Sequence, residues 1–129
     1  MENKIKQLRK GILELAILKC LYHESHYGYS LVRTLSEEGD ISLTEGTIYP
    51  ILSRLFKEGL IRSEWVESSQ GPPRKYYSLT DEGKKSFEVV SKEFHKLANL
   101  IINGSPKPIL KDRTEDKRTI SVRKEKEDG

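Results

Sequence analysis

The sequence predicts a mainly α-helical fold with a small β-hairpin: a winged helix-turn-helix domain followed by a C-terminal dimerisation helix. Apolar residues recur at helical spacing in four segments of the chain. Between the third and fourth of them lie two short segments rich in β-branched and aromatic residues, joined by a basic Gly-Pro-Pro turn. Helix, strand, basic turn and strand follow one another in a winged helix, whose helix suits the DNA major groove and whose hairpin suits the neighbouring phosphates.

The composition limits the classes of protein that the chain can be. Its 129 residues suffice for one domain and a flanking segment, and 33% charged against 35% hydrophobic residues leave a small core. The net charge of +3 is too small to indicate nucleic acid by itself. The single cysteine, Cys20, excludes an internal disulfide framework and is interpreted as a small buried side chain. Because no membrane-length apolar run or signal-like N-terminus is visible, we expect a cytoplasmic protein without a membrane partner.

The first predicted helix runs from about Asn3 to His23. Its apolar residues step by three, four and seven, but they cover most of the helix circumference. One contact surface does not need so wide an arc. We therefore expect one side of this helix to pack on its own domain and the other side, with Leu8 and Ile12, on a second chain.

Two shorter helices are predicted next. The segment His26–Ser30 is interpreted as a turn, and a helix from Ser30 to Glu38 should end at Gly39. Ser42 and Glu45 have the spacing of a capping box and should open the third helix. Its predicted inner stripe is Ile48, Leu52 and Leu55, helped by Ile51 and Phe56; Gly59 should end the helix, and Pro50 predicts an irregular or late-starting first turn.

The hairpin and the fourth helix complete the domain. Strands are predicted at Ile61–Val66 and Lys75–Leu79 with a loop at Ser68–Pro73, and Thr80 should cap the fourth helix. Apolar residues in that helix step by three and four, which is a short heptad seam. A lone surface helix could show the same spacing, but beside the wide first helix it favours a homodimer. The seam consists of Phe87, Val90, Phe94, Leu97 and Ile101.

Three regions follow from these patterns. Residues 1–80 are predicted to form the winged helix-turn-helix domain and residues 81–104 the dimerisation helix. Residues 105–129 alternate basic and acidic side chains with few apolar ones. Such a segment buries too little surface to offset its ordering entropy, so we expect a disordered charged tail.

Candidate DNA contacts come from the third helix and the hairpin. Small hydroxyl residues, a phenol and cations share the helix face opposite the inner stripe, although an ordinary solvated face would carry similar residues. The hairpin favours the first interpretation, because basic residues are expected to cluster at its tip without an intervening acid. The candidate residues are Thr47, Tyr49, Pro50, Ser53, Arg54 and Lys57 in the helix and Gln70, Arg74 and Lys75 in the hairpin.

Enzyme chemistry finds little support in the sequence. The three histidines, His23, His26 and His95, are not at metal-ligand spacing with Cys20 or with an acid cluster. No phosphate-binding glycine loop, serine nucleophile motif or isolated carboxylate pair is visible. We therefore expect a protein that is not an enzyme and needs neither a metal nor a cofactor.

Four blocks of the sequence resemble the PadR family of bacterial transcriptional regulators. They are LRKGILELAILKCL at Leu8–Leu21, YGYSL at Tyr27–Leu31, EGTIYPILSRLFKEGLI at Glu45–Ile61 and GPPRKYYSLTDEG at Gly71–Gly83. Together the resemblance extends from about Leu8 to Ile102. The single C-terminal helix is similar to the shorter branch of the family, and the charged tail has no counterpart in the family pattern.

The resemblance implies a homodimeric winged-helix repressor. By position it places Thr47, Tyr49, Pro50 and Arg54 in the recognition helix and assigns Arg74 and Lys75 to the wing. Some short members of the family bind flat aromatic or drug-like molecules between the first and fourth helices near the dimer centre. Phe94 lies on the inward seam and is thus a candidate for stacking on an aromatic effector, although a plain core aromatic explains it as well.

The predicted function is that of a dimeric DNA-binding transcriptional regulator, a repressor relieved by a small molecule or a cellular signal. A dimer axis predicts a pseudo-palindromic operator in double-stranded DNA. On the helix face Arg54 is the best single candidate for contacting a guanine, with groove shape supplying much of the remaining specificity. The alternative is a winged helix that contacts only other proteins.

Overall fold

The computed structural model describes residues 1–104 as four helices and three short strands. The predicted disordered tail, residues 105–129, lies outside the described residues. The observed fold confirms the predicted class, which is mainly helical with a small antiparallel sheet. The elements in chain order are α1 (Glu2–His23), β1 (His26–Tyr27), α2 (Gly28–Gly39), α3 (Glu45–Lys57), β2 (Ile61–Ser68), β3 (Gly71–Leu79) and α4 (Asp81–Ile102).

The chain divides into two compact units within α4, one covering Met1–Lys92 and the other beginning at Glu93. The domain boundary predicted after residue 80 stays a prediction. In the described part of the chain, no helix is long and apolar enough to cross a membrane.

The core of the first unit is formed by the inner faces of α1, α2 and α3 and by the base of the sheet. Ile48, Leu52 and Leu55 are fully buried, which confirms the predicted stripe of α3. The prediction for Phe56 is wrong, since 53% of this residue is exposed. At 3.6 residues per turn, Phe56 points roughly 75° away from the centre of the stripe. The other core residues are Leu13, Ile17, Leu18, Leu21, Leu31, Ile51, Ile61, Tyr77 and Leu79.

The ends of α3 differ in how well the sequence predicts them. The predicted Ser42–Glu45 capping box is wrong: the N-cap is Thr44, and its side chain makes no capping hydrogen bond. The helix therefore starts late, and Pro50 lies inside it beyond the first turn. At the other end Gly59 has the predicted role. Its φ of 77° is left-handed, and the Leu60 N–H donates to the Leu55 carbonyl at 3.0 Å, as in a Schellman motif.

The predicted turn before α2 is in fact partly a strand. His26 and Tyr27 pair with Tyr77 and Tyr76 of β3, so β1 becomes an outer strand of the sheet. Helix α2 then begins at Gly28, two residues earlier than predicted, and ends with Asp40 rather than Gly39 in the left-handed region. Asp tolerates this conformation because its short polar side chain can bond locally.

The wing is longer and its turn tighter than the sequence indicates. Strands β2 and β3 pair as far as Ser68 and Gly71, so the connecting turn contains only Ser69 and Gln70. The two prolines at 72 and 73 are therefore in β3 and not in a loop. The ladder is irregular here, with an extra residue on the β3 side between Val66 and Ser68. Such a bulge accommodates prolines, because it needs fewer backbone donors.

Helix α4 begins as predicted. The Gly83 N–H donates to Thr80 Oγ1 at 3.0 Å, and the Thr80 hydroxyl donates to the Gly59 carbonyl at 2.7 Å. This cap links the start of α4 to the end of α3. Phe87, one turn further on, stacks on Tyr22 of α1 with ring centroids 4.9 Å apart. The first half of α4 thus packs on α1 of its own chain.

Candidate nucleic-acid interface

The exposed face of α3 carries most of the residues predicted for it. Thr47, Tyr49, Pro50, Ser53 and Lys57 are all exposed on the side away from the core. They share this side because Ile48, Ile51, Leu52 and Leu55 hold the opposite one against α1, α2 and the sheet. The result is a helix surface with two small hydroxyls, a phenol and one ammonium group, a mixture that suits contacts to a nucleic-acid groove.

Arg54 differs from the other residues of this face, because its guanidinium is already occupied. Its Nε and Nη2 donate to Oε2 of Glu14 on α1, at 3.1 and 2.6 Å. The side chain is 38% exposed, and that of Glu14 is 31% exposed. A charge-assisted pair of this kind is stronger than a neutral hydrogen bond. Contact between Arg54 and a guanine stays a prediction, and it would require this pair to open.

The basic residues of the wing are not clustered at its tip as predicted. Gln70 lies in the two-residue turn, whereas Arg74 and Lys75 lie along β3, opposite Val66 and Trp65. The reason is the early start of β3, which moves the two cations from a loop into the ladder. Their side chains therefore project from a paired strand with a fixed spacing.

Aromatic rings hold these two cations. The guanidinium carbon of Arg74 is 4.5 Å from the centre of the Tyr27 ring, and Lys75 Nζ is 5.9 Å from the ring centres of Trp65 and Tyr77. Within residues 1–104 neither cation forms an ion pair with an acid. Rings orient a cation without neutralising it. Both charges therefore remain available to an anion.

A groove of about 500 Å³ connects the wing with the N-terminal half of α3. Tyr49 lies in its wall, and its pKa is raised by burial and then by the negative charge of the neighbouring Glu45. Gly28 makes this position possible, because a Cβ atom there would collide with the Tyr49 hydroxyl. The groove is lined by Tyr27, Gly28, Tyr29, Tyr49, Trp65, Pro73, Arg74, Lys75 and Tyr77.

Several residues of this surface were not identified from the sequence. Tyr27, Tyr29 and Trp65 line the groove, yet nothing in the local pattern links segments so far apart in the chain. The one available signal is composition, because Tyr and Trp are the aromatic residues that accept cations best. Glu14 has no local signal at all, since its partner Arg54 is 40 positions away.

The residues predicted for a dimer interface are mostly exposed. In the first unit, Leu8, Ile12 and Val90 are 68%, 39% and 45% exposed. In the second unit, Phe94, Leu97 and Ile101 also lie at the surface. Phe87 differs, since it packs on Tyr22 of its own chain. The interface itself, and Phe94 as part of a ligand pocket, stay predictions.

The surroundings of His26 and Cys20 indicate structural roles for both residues. His26 is buried, and its Nδ1 is 2.9 Å from the Ser30 hydroxyl. Burial lowers the pKa of this imidazole, against the opposing effect of Glu24. Cys20 is half-buried, and burial raises the pKa of its thiol. Among residues 1–104 no three His, Cys, Asp or Glu side chains are grouped so that they could hold a metal ion.

Comparison with known proteins gives a consistent result. Residues 17–89 match the model of the transcriptional regulator PadR-like family. A PadR-like regulator from Bacillus cereus is 39% identical, with a TM-score of 0.69 over 75% of this chain and 94% of its own. A Streptococcus transcriptional regulator is 40% identical, with a TM-score of 0.67 over 74% and 93% of the two chains.

A third solved structure includes DNA. Bacillus subtilis PadR in complex with operator DNA is 28% identical to this chain, with a TM-score of 0.55. The similarity covers 75% of this chain but 50% of that longer protein. Since the family model covers more than half of the sequence and the winged fold is shared with these regulators, the chain belongs to the PadR-like family of transcriptional regulators.

Proposed function

We propose that this chain is a homodimeric, sequence-specific DNA-binding regulator, and that it acts as a repressor in the cytoplasm. One observation carries the proposal: Arg74 and Lys75, unpaired with any acid among the described residues, flank a groove that continues into the exposed face of α3. DNA phosphates bind such cations, and the affinity gained from these contacts is largely independent of base sequence. The operator complex of the related Bacillus subtilis protein supports the same use of this fold.

The two parts of the surface have different tasks in this proposal. The wing residues Arg74 and Lys75 contact phosphates and set the register on the duplex, with Gln70 at the turn reaching the same backbone. Helix α3 enters the major groove with Thr47, Tyr49, Pro50 and Ser53 near base edges. Lys57, at the C-terminal end of α3, adds a phosphate contact.

Exposed apolar residues support the homodimer. Leu8 and Ile12 lie one helical turn apart on α1, and each leaves substantial apolar surface in water. Leu97 and Ile101 do the same on the second half of α4. Large exposed apolar residues in contiguous stripes mark contact surfaces. A dimer axis would present two α3 helices to two inverted half-sites of a pseudo-palindromic operator.

A small molecule or a cellular signal would release the repressor from DNA. The candidate contact for a flat aromatic effector is Phe94, which is 36% exposed on α4. A partly exposed ring can stack on a planar ligand without first being pulled from a core. Fluorescence or calorimetry would measure the binding of a panel of planar aromatic compounds to the unaltered chain and to Phe94→Ala. A difference between the two would test this contact.

DNA binding is tested by selecting duplexes from a random-sequence pool with the full chain. We expect enrichment of sites with inverted half-sites, and an affinity that falls steeply as salt rises, because bound phosphates release counterions. The alternative, a winged helix that contacts only proteins, predicts that no duplex is enriched and that affinity for random DNA stays negligible at low salt.

The dimer is tested at Leu97, which is 51% exposed. Leu97→Glu would place a carboxylate in an apolar interface without a partner, so the variant should sediment as a monomer. Lys92→Glu places the same carboxylate at an exposed position off the seam, with a still larger change in net charge, and serves as the control. If Leu97→Glu sediments like the unaltered chain, this interface is incorrect.

A further inference from the structure

The ion pair between Arg54 and Glu14 is unusual in its position. Both Nε and Nη2 of Arg54 donate to a single oxygen of Glu14, at 3.1 and 2.6 Å. Of the ion pairs found in residues 1–104, it alone connects α1 with α3. The two other helical ion pairs, Arg33–Glu37 and Glu93–Lys96, join neighbours within one helix. The α1–α3 pair thus bears on how two helices are oriented.

Both partners lie at the edge of the core. Arg54 precedes Leu55, which is fully buried, and Glu14 follows the buried Leu13. About a third of each charged side chain is exposed, 38% for Arg54 and 31% for Glu14. Removing one partner from such a pair leaves the other charge partly desolvated and without its partner. Arg54 therefore cannot turn toward a base without leaving Glu14 in that state.

We propose that the Arg54–Glu14 pair sets the orientation of α3 on α1, and that Arg54 is a positioning residue and not a reader of bases. This inference rests on the DNA-binding function proposed above and deepens it. Direct contact with base edges is then made by the residues of α3 whose side chains are not tied to another helix. These are Thr47, Tyr49 and Ser53, all exposed on the outer face.

The pair also links α3 to the proposed dimer contacts. Glu14 is two residues beyond Ile12 on α1, and Leu8 lies one turn before Ile12. Because a helix moves as a rigid element, a rotation of α1 at a dimer interface would move Glu14 and, through Arg54, α3. The angle between the two reading helices would therefore depend on the geometry of the dimer.

The direction in which one substitution changes the affinity for DNA separates a positioning role from a simple effect of charge. Glu14→Gln removes an acid, and on charge alone this strengthens binding to a polyanion such as DNA. If Glu14 positions α3, the variant instead loses affinity for a duplex selected by the unaltered chain, by about fivefold, as for one lost contact between coupled residues. Glu58→Gln removes an exposed acid at the end of α3 and is the matched control. Its affinity should stay equal or rise.

A double variant separates positioning from base reading. The double variant Glu14→Met/Arg54→Met keeps side-chain bulk but leaves neither charge unpaired, a replacement that buried ion pairs often tolerate. If the pair positions α3, this variant binds the selected duplex more tightly than Glu14→Met or Arg54→Met alone. If Arg54 reads a guanine, the double variant is no better than Arg54→Met. Thermal unfolding followed by circular dichroism checks that each variant is folded.

Two results would overturn the inference: a Glu14→Gln variant that binds as tightly as the unaltered chain or more tightly, and additive losses in the methionine series. Failure of the proposed function itself looks different. In that case the unaltered chain enriches no duplex, its affinity for random DNA does not depend on salt, and both proposals are overturned together.

Discussion

Two arginines of the candidate interface are held in opposite ways. Arg54 of α3 donates two hydrogen bonds to the Glu14 carboxylate, so its charge is balanced within the chain. Arg74 of β3 lies 4.5 Å from the centre of the Tyr27 ring and has no acid partner among the described residues. The difference separates two uses of one residue type. A carboxylate fixes a guanidinium and neutralises it, whereas a ring fixes it and leaves its charge for an anion.

Gly28→Ala should produce the largest effect on stability and DNA affinity, because Gly28 lies where α3 meets the wing. A Cβ atom there would collide with the Tyr49 hydroxyl. Overpacking of this kind costs about 1–3 kcal/mol of unfolding free energy. We expect loss of stability in urea titrations and loss of DNA affinity, since Tyr49 would be displaced from the groove.

Gly11→Ala provides the control for that substitution. Gly11 is an exposed residue in α1, and a Cβ atom there would meet nothing within 4 Å. Alanine at an open helical position should stabilise the chain by about 1 kcal/mol. If the two glycine variants behaved alike, the close contact between Gly28 and Tyr49 would not matter.

Arg74→Ala should weaken binding to all duplexes about equally. If Arg74 contacts a phosphate, its loss should flatten the dependence of log affinity on log salt by about one unit. Arg54→Gln should leave that slope nearly unchanged, because Glu14 already neutralises Arg54. Arg33→Ala, on the exposed side of α2, is a control of equal charge. A change in which sequence Arg74→Ala prefers would mean that the wing reads bases.

Tyr27→Leu should have a smaller effect. Leucine keeps apolar bulk beside β3 but removes the ring that holds Arg74. A cation–π contact at an exposed site contributes about 0.5–1 kcal/mol, so DNA affinity should fall by roughly two- to fivefold. Binding titrations on Tyr27→Leu, Arg74→Ala and the double variant would measure the coupling. Strictly additive losses would show that the ring does not organise the arginine.

The smallest expected effect is a dependence of stability on pH through His26, which lies in β1 beside Tyr27. Burial lowers the pKa of His26 below its ordinary value of 6.5. The unfolded chain therefore binds the proton first as pH falls. The stability that His26 contributes is complete above about pH 6.5 and is lost as pH decreases toward the folded-state pKa.

Urea titrations at several pH values between 7 and 5 would measure this effect. In His26→Gln the corresponding part of the pH dependence should disappear. His23→Gln alters an exposed histidine and should leave it unchanged. An identical pH profile for the unaltered chain and His26→Gln would show that the buried imidazole ring does not contribute to the pH dependence of stability.

Local patterns in the sequence were sufficient for most of the helical framework. The 3.6-residue period requires Ile48, Leu52 and Leu55 to share one face, so the outer face with Thr47 and Ser53 follows from the same arithmetic. The stop at Gly59 and the cap at Thr80 were also predictable, because each depends on a property of a single residue type. The four sequence blocks that resemble PadR regulators agree with the family found by comparison.

The predictions that failed concern choices between several local options. Ser42 had a good capping sequence, yet Thr44 is the N-cap of α3 and Glu45 is its first residue. The Gly-Pro-Pro segment looked like a loop, but β3 extends to Gly71 since pairing with β2 outweighs the local preference for a turn. His26 and Tyr27 became a strand because β3 offered an unpaired edge.

The sequence by itself determined the class of fold, the register of the helices and the residues on the outer face of α3. These depend on periodicity and on the conformational preferences of individual residues. Only the tertiary structure decided which cation is neutralised, because Glu14 and Arg54 are 40 positions apart and Tyr27 reaches Arg74 only through the pairing of β1 with β3. Electrostatic and ring contacts act through distance in space, and distance in space is set by how the elements pack.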